Sequence, residues 1–235
     1  MSIHYVGIRE PIKAYLEKMK VEYEDYPVQI IDLGGAVSYD KEYFINNTDF
    51  QTETIILSNR RHTVEDELGS LESELLKIYQ NSILYRTSPL DINIELYRGW
   101  AGATGKLITA FSPEGVNWIN TKDVVKACLI PKQDVRNRAG KAYDLTGPEL
   151  VSMSRLKDIF EEDLNMKIEL YCKSKEEVIS ILSQNNMPLD VLEWLAEFQE
   201  ASSSKHLQPF TNTLEQIIGH PPNQAQLSKI QINYS

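Results

Sequence analysis

The chain has 235 residues, 42% hydrophobic and 25% charged, which suits one full α/β domain with a core and a small appended subdomain. A net charge of −10 and a pI near 5.0 exclude the clustered Lys and Arg that phosphate contacts require, so no nucleic-acid partner is expected. No run of about 18 apolar residues occurs, and Met1 to Val6 lacks the regions of a secretory signal; the expectation is a cytoplasmic protein with no membrane partner.

Ile3 to Gly7 reads as a short apolar strand, and Arg9 to Lys20 as a helix with Ile12, Leu16 and Met19 on one face. Val28 to Leu33 is the next apolar run, closed by Asp32 and the turn residues Gly34 and Gly35. Thr54 to Leu57 is continuously apolar, as a strand buried on both faces should be. Ser58 to His62 leads from it into a helix with Val64, Leu68, Leu71, Leu75 and Ile78 on one side. Ser82 to Ser88 is a strand running into Pro89 to Asn93 and an aromatic loop, Tyr97 to Trp100.

Gly102-Ala-Thr-Gly105-Lys has the glycine spacing of a phosphate-binding turn, but it follows Leu96 to Trp100 rather than an apolar strand, and Ile108 stands where a third glycine belongs. It reads as a loop before a strand at Leu107 to Phe111. Thr121 caps a helix with Val124, Val125, Cys128 and Leu129 inward and Asp123 in its first turn. Lys141 to Leu145 is extended, and Thr146-Gly-Pro148 is a turn. Ser152 then caps a helix through Met153, Leu156, Ile159, Phe160 and Leu164 that Asn165 stops, with Val151 and Leu156 placed as a hydrophobic staple. Ser174 to Glu177 is a capping box, Pro188 starts a second helix, and Asn212 to Ile218 is a third, ended by Gly219 and Pro221.

Tyr143-Asp-Leu-Thr-Gly-Pro-Glu149, with the amphipathic helix after it, resembles the second half of the NmrA-like, atypical short-chain dehydrogenase/reductase family. Three more segments stand where that family has them: Asn120 to Ala127, Ser82 to Arg86 with Asn93 beyond it, and Ile217 to Pro222; the resemblance covers roughly residues 52 to 228. It implies a shortened Rossmann-like α/β fold, a parallel sheet flanked by helices with a mainly helical C-terminal cap. The expected division is a sheet domain at 1–145, with contributions from 107–129 and 141–171, and a cap at 146–235.

The resemblance also implies a dinucleotide fingerprint, Gly-x-x-Gly-x-x-Gly, whose positions here are Gly7, Glu10 and Lys13. A carboxylate at the second position would repel the pyrophosphate, and Pro11 removes one amide donor. Only about fifty residues separate Ile3 from the strand at Thr54, so at least one βα unit is missing or compressed. The expectation is accordingly a damaged site and no cofactor, with NAD(P) as the alternative, held by Gly7 and by Asp32 on a ribose; Asp32 also reads as turn chemistry. The Tyr-x-x-x-Lys pair of short-chain dehydrogenases has no convincing match here.

The segment after a parallel strand lies at the carboxyl edge of the sheet, where open α/β folds bind ligands. His62, titrating near neutrality, is the candidate general acid or base, with Glu65 or Asp91 as its carboxylate partner. Asn93, Tyr97, Trp100 and Trp194 are candidate pocket walls, although aromatic stretches are as often packing surfaces. Cys128 and Cys172 read as reduced thiols, and the four scattered histidines give no metal site. The favoured activity is non-redox acid/base chemistry (cyclisation, isomerisation or elimination) on a small organic molecule. Its alternatives are an NAD(P)H-dependent reductase and a non-catalytic regulatory module with a protein partner; a homo-oligomer remains open.

Overall fold

In the computed structural model, residues 3–19, 27–34, 41–46, 52–60, 66–185, 187–203 and 210–228 are described. The chain forms β1 (Ile3–Val6), α1 (Glu10–Met19), β2 (Val28–Asp32), α2 (Lys41–Asn46), β3 (Glu53–Asn59), α3 (Glu67–Ile78), β4 (Ser82–Thr87) and α4 (Ile94–Thr104). It continues with β5 (Lys106–Thr109), α5 (Thr121–Cys128), α6 (Lys132–Arg138), β6 (Lys141–Leu145), α7 (Met153–Leu164), β7 (Glu169–Cys172), α8 (Lys175–Leu182), α9 (Leu189–Ser202) and α10 (Thr213–Ile218). Two compact units interleave in sequence.

Unit 1 comprises Met1–Ser88, Thr121–Thr146 and Thr211–Pro222. Its sheet has the order β1-β2-β3-β4-β6, and every pairing is parallel. The α/β, parallel-sheet expectation is borne out. Val6, Ile31, Ile56 and Leu84 stand in register on one face, where Phe44 of α2 and Leu68, Leu71 and Leu75 of α3 cover them. Asp66 caps α3 by accepting from Gly69 N at 2.6 Å. Unit 2 comprises Pro89–Asn120, Gly147–Phe210 and Asn223–Ser235; in it β5 pairs with β7 rather than joining the larger sheet. Its core gathers Tyr97, Phe111, Trp118, Met153, Leu156 and Phe160, with Val151 beside them.

Capping chemistry fixes the helix ends. Ser152 accepts from Arg155 N, Asn165 closes α7 at φ 51°, both bonds of the Ser174–Glu177 capping box form, and Gly219 ends α10 at φ 79°. The expected aromatic loop at Tyr97 to Trp100 is instead helical, within α4. Ile94, Tyr97, Arg98 and Ala101 sit at helical spacing and are buried, and that burial outweighs the weak propensity of Gly99 and Gly102. The glycine-spaced segment expected as a loop is the end of this helix, closed by Gly105 at φ 70°.

Glu53, at the amino end of β3, is 3% exposed and holds α6 through Arg136 at 2.8 Å and Lys132 at 3.3 Å. Burial alone would raise its pKa, but hydrogen bonds from its own backbone, Arg136 and Lys132 outweigh burial and lower it. A lowered folded value means that this stabilisation is present above the ordinary carboxylate value and fades as pH falls through the folded one. Urea midpoints measured from about pH 6 to about pH 3 should therefore fall less steeply in Glu53→Gln than in the parent; equal slopes would sink the assignment.

Candidate functional site at the carboxyl edge of the sheet

In a parallel sheet all carboxyl ends share one edge, and here they carry a set of paired charges. β1 ends at Gly7 with φ 65°, a left-handed turn that a side chain would strain and that brings the chain into α1. A Cβ at Gly7 would also stand 3.0 Å from the Phe44 ring and 3.1 Å from Asp32 O. β2 ends at Asp32, which has no exposed surface.

The Asp32 carboxylate is saturated. Oδ2 accepts from Arg9 N at 3.1 Å and Arg9 Nε at 2.8 Å, while Oδ1 accepts from Arg9 Nη2 at 3.0 Å and Gly34 N at 3.0 Å. Four N–H donors fill the roughly four acceptor positions of a carboxylate. The Arg9 side chain, 18% exposed, lies so close over Gly34 that a Cβ there would meet its guanidinium. Asn59 Nδ2 completes the turn by donating to Gly34 O at 3.0 Å.

Two further arginine–carboxylate pairs continue along the edge. Arg60 Nε meets Asp144 Oδ2 at 3.0 Å; Arg86 Nη2 meets Glu72 Oε2 at 2.8 Å, and Ser58 Oγ donates to Glu72 Oε1 at 2.5 Å. Beneath the edge, burial first and the Asp32 charge second push the Cys128 thiol above its ordinary range and keep it protonated.

Glu10 does not intrude on the turn. Its side chain is 83% exposed and stands 3.7 Å from Lys13 Nζ, so its charge is solvated and partly neutralised. The repulsion read from the sequence assumed a side chain aimed at the phosphate position. Arg9, Asn59, Arg60 and the Glu72–Arg86 pair escaped the sequence reading, because only the fold brings partners 23 and 84 residues apart together.

His62 and Glu65 lie outside the described residues. Asp91, 3% exposed, is in unit 2, where Oδ2 accepts from Gln226 N at 2.9 Å. Asn93 precedes α4, and its backbone N donates to Leu90 O at 3.0 Å. Tyr97 is buried against Trp100, Phe111 and Trp118, and its OH receives Gln199 Nε2 at 3.4 Å; burial pushes its phenol pKa up. Trp100 packs on the same core, and Trp194 stacks on Phe198 with centroids 5.8 Å apart. The structure thus brings Asn93, Tyr97 and Trp100 together on one segment of unit 2.

No protein-family model and no curated protein matches the sequence. Solved structures do share the fold. A nucleoside-diphosphate-sugar epimerase from Staphylococcus aureus superposes with a TM-score of 0.73 at 13% identity, over 97% of this chain and 100% of that one. An NADPH-dependent quinone oxidoreductase from Escherichia coli, complexed with NADPH, gives 0.70 at 15% identity, over 95% and 96%. A Citrobacter triphenylmethane reductase complexed with NADP(H) gives 0.70 at 13%, over 96% and 98%. At such identities the likeness is one of fold, and the fold is the Rossmann-like, NmrA-type one. Two of the three were solved with a nicotinamide dinucleotide bound, which overturns the expectation of a fold without its cofactor. Among the described residues, no helix is long and apolar enough to cross a membrane.

Proposed function

We propose that the chain binds NAD(P)H at the carboxyl edge of the five-stranded sheet and reduces a small organic molecule. The observation that carries this reading is the β1–Gly7–α1 turn with the Arg9 guanidinium standing over Asp32. The residues present fit the group. Gly7, at φ 65°, turns the chain from β1 into α1, and Glu10 faces solvent. Of the five N–H donors of a guanidinium, Arg9 spends Nε–H and one Nη2–H on Asp32; the three left over suit a pyrophosphate oxygen. When bound, reduced nicotinamide supplies a hydride. The chain's share is to fix the phosphates through Arg9 and the turn amides, and to deliver the accompanying proton.

His62, two residues beyond Arg60, is the proton donor in this proposal, with Glu65 as its carboxylate partner.

Calorimetric titration tests the cofactor assignment directly. NADPH or NADH should bind in the micromolar range, and Arg9→Ala should weaken binding by about 10- to 100-fold, the worth of a charge-assisted hydrogen bond. Absence of heat for both nucleotides at millimolar concentration would remove the reading.

A further inference from the structure

The strands of the larger sheet run in chain order, and β1 stands at its edge. In a doubly wound sheet a dinucleotide lies across the point where strand order reverses, each mononucleotide over its own half-sheet. Among the described strands there is no reversal. Residues 7–27 separate β1 from β2, and α1 takes ten of them; the eight at 20–27 are too few for another strand and crossover, which need about 10–12 or more. Among the described residues, one half-sheet of the doubly wound plan has no counterpart.

The helices identify which half remains. α2 and α3, linking β2 to β3 and β3 to β4, cover the face that carries Val6, Ile31, Ile56 and Leu84. α1 takes no part in that cluster and packs against α5, whose Cys128 senses the Asp32 charge. Crossovers that advance in one direction are right-handed and keep their helices on one face. α2 and α3 obey this rule. A right-handed β1–α1–β2 unit would set α1 against that cluster, which holds none of its residues, whereas the opening helix of a first half-sheet would stand apart from it. β2, β3 and β4 correspond to the second half, over which nicotinamide riboside lies; the first half, which holds adenosine and reads its ribose, is the one without a counterpart among the described residues.

Asp32 agrees with this assignment. A ribose-reading carboxylate needs a free acceptor position, and all four of its own are filled by Arg9 and Gly34.

Building on the cofactor reading above, we infer that recognition is one-sided. The Gly7 turn, Arg9 and the ends of β2 and β3 hold the nicotinamide mononucleotide half, and the adenosine half contributes almost nothing. Reduced nicotinamide mononucleotide is then as good a ligand as the dinucleotides, and the 2′-phosphate goes unread.

Titration of the full chain with NADPH, NADH, reduced nicotinamide mononucleotide and 2′,5′-ADP decides the matter. The three nicotinamide compounds should bind within about threefold of one another, and 2′,5′-ADP should neither bind nor displace them at millimolar concentration. A dinucleotide binding more than about tenfold tighter than the mononucleotide, or measurable binding of 2′,5′-ADP, would overturn the one-sided site alone. If none of the three nicotinamide compounds binds, both this inference and the cofactor reading fall.

Discussion

Glu72→Ala is expected to lower the unfolding free energy by about 3 kcal/mol, near the low end for breaking a buried ion pair from one side. Glu72 has no exposed surface and sits under the carboxyl ends of β3 and β4, receiving Arg86 at 2.8 Å and Ser58 Oγ at 2.5 Å. Its loss strands the Arg86 cation and leaves the Ser58 hydroxyl with an unfilled bond. Arg86 is 21% exposed, so water recovers part of the loss, which places the estimate at the low end. Urea denaturation gives the number. Replacing both partners, Glu72→Leu with Arg86→Met, should recover much of the stability, since two apolar groups leave no charge behind. A single-variant cost below about 1 kcal/mol would mean that the pair does not hold the edge.

Gly147→Ala should cost about 3 kcal/mol or more, because the methyl group would be driven into the Trp118 carbonyl within contact distance. The approach is forced. Gly147 N donates to Asn117 Oδ1 at 2.8 Å, and Asn117 Nδ2 donates to Gly147 O and Glu149 O at 2.9 Å each. Val116 and Val151 exchange backbone hydrogen bonds just beyond, at 3.0 and 2.9 Å. The 147–149 turn cannot retreat without breaking that stitching, so the expected outcome is a lowered melting temperature. An unchanged one would show that the turn has room to shift.

How far the fold could be read from the sequence depended on the range of the chemistry. Helix ends rest on residues three or four apart, so the caps at Ser152 and Ser174 and the stops at Asn165 and Gly219 were legible. So were the buried runs of β2 and β3. The helix through Tyr97 was not, because Gly99 and Gly102 argue locally against it while the core it packs on is assembled from β5, α7 and the 116–118 segment. The candidate site was less legible still. Its organising contact joins Arg9 to a carboxylate 23 residues away, and nothing in either local pattern announces a saturated ion pair. Glu10 gave a misleading signal, since residue type alone carries no side-chain direction.

The interleaving of the two units bears on how the protein is made. Thr211, in the last piece of unit 1, donates from Oγ1 to Asp144 O at 2.7 Å and from its backbone to Thr146 Oγ1 at 3.0 Å, securing the end of β6. In the last piece of unit 2, Gln226 N reaches Asp91, and Leu227 O receives Arg98. A chain leaving the ribosome amino end first thus lacks an anchor of both units until the stretch beyond residue 210 has emerged. Neither unit has all of its pieces before that stretch is made, so the expected order is joint completion rather than one unit finishing ahead of the other.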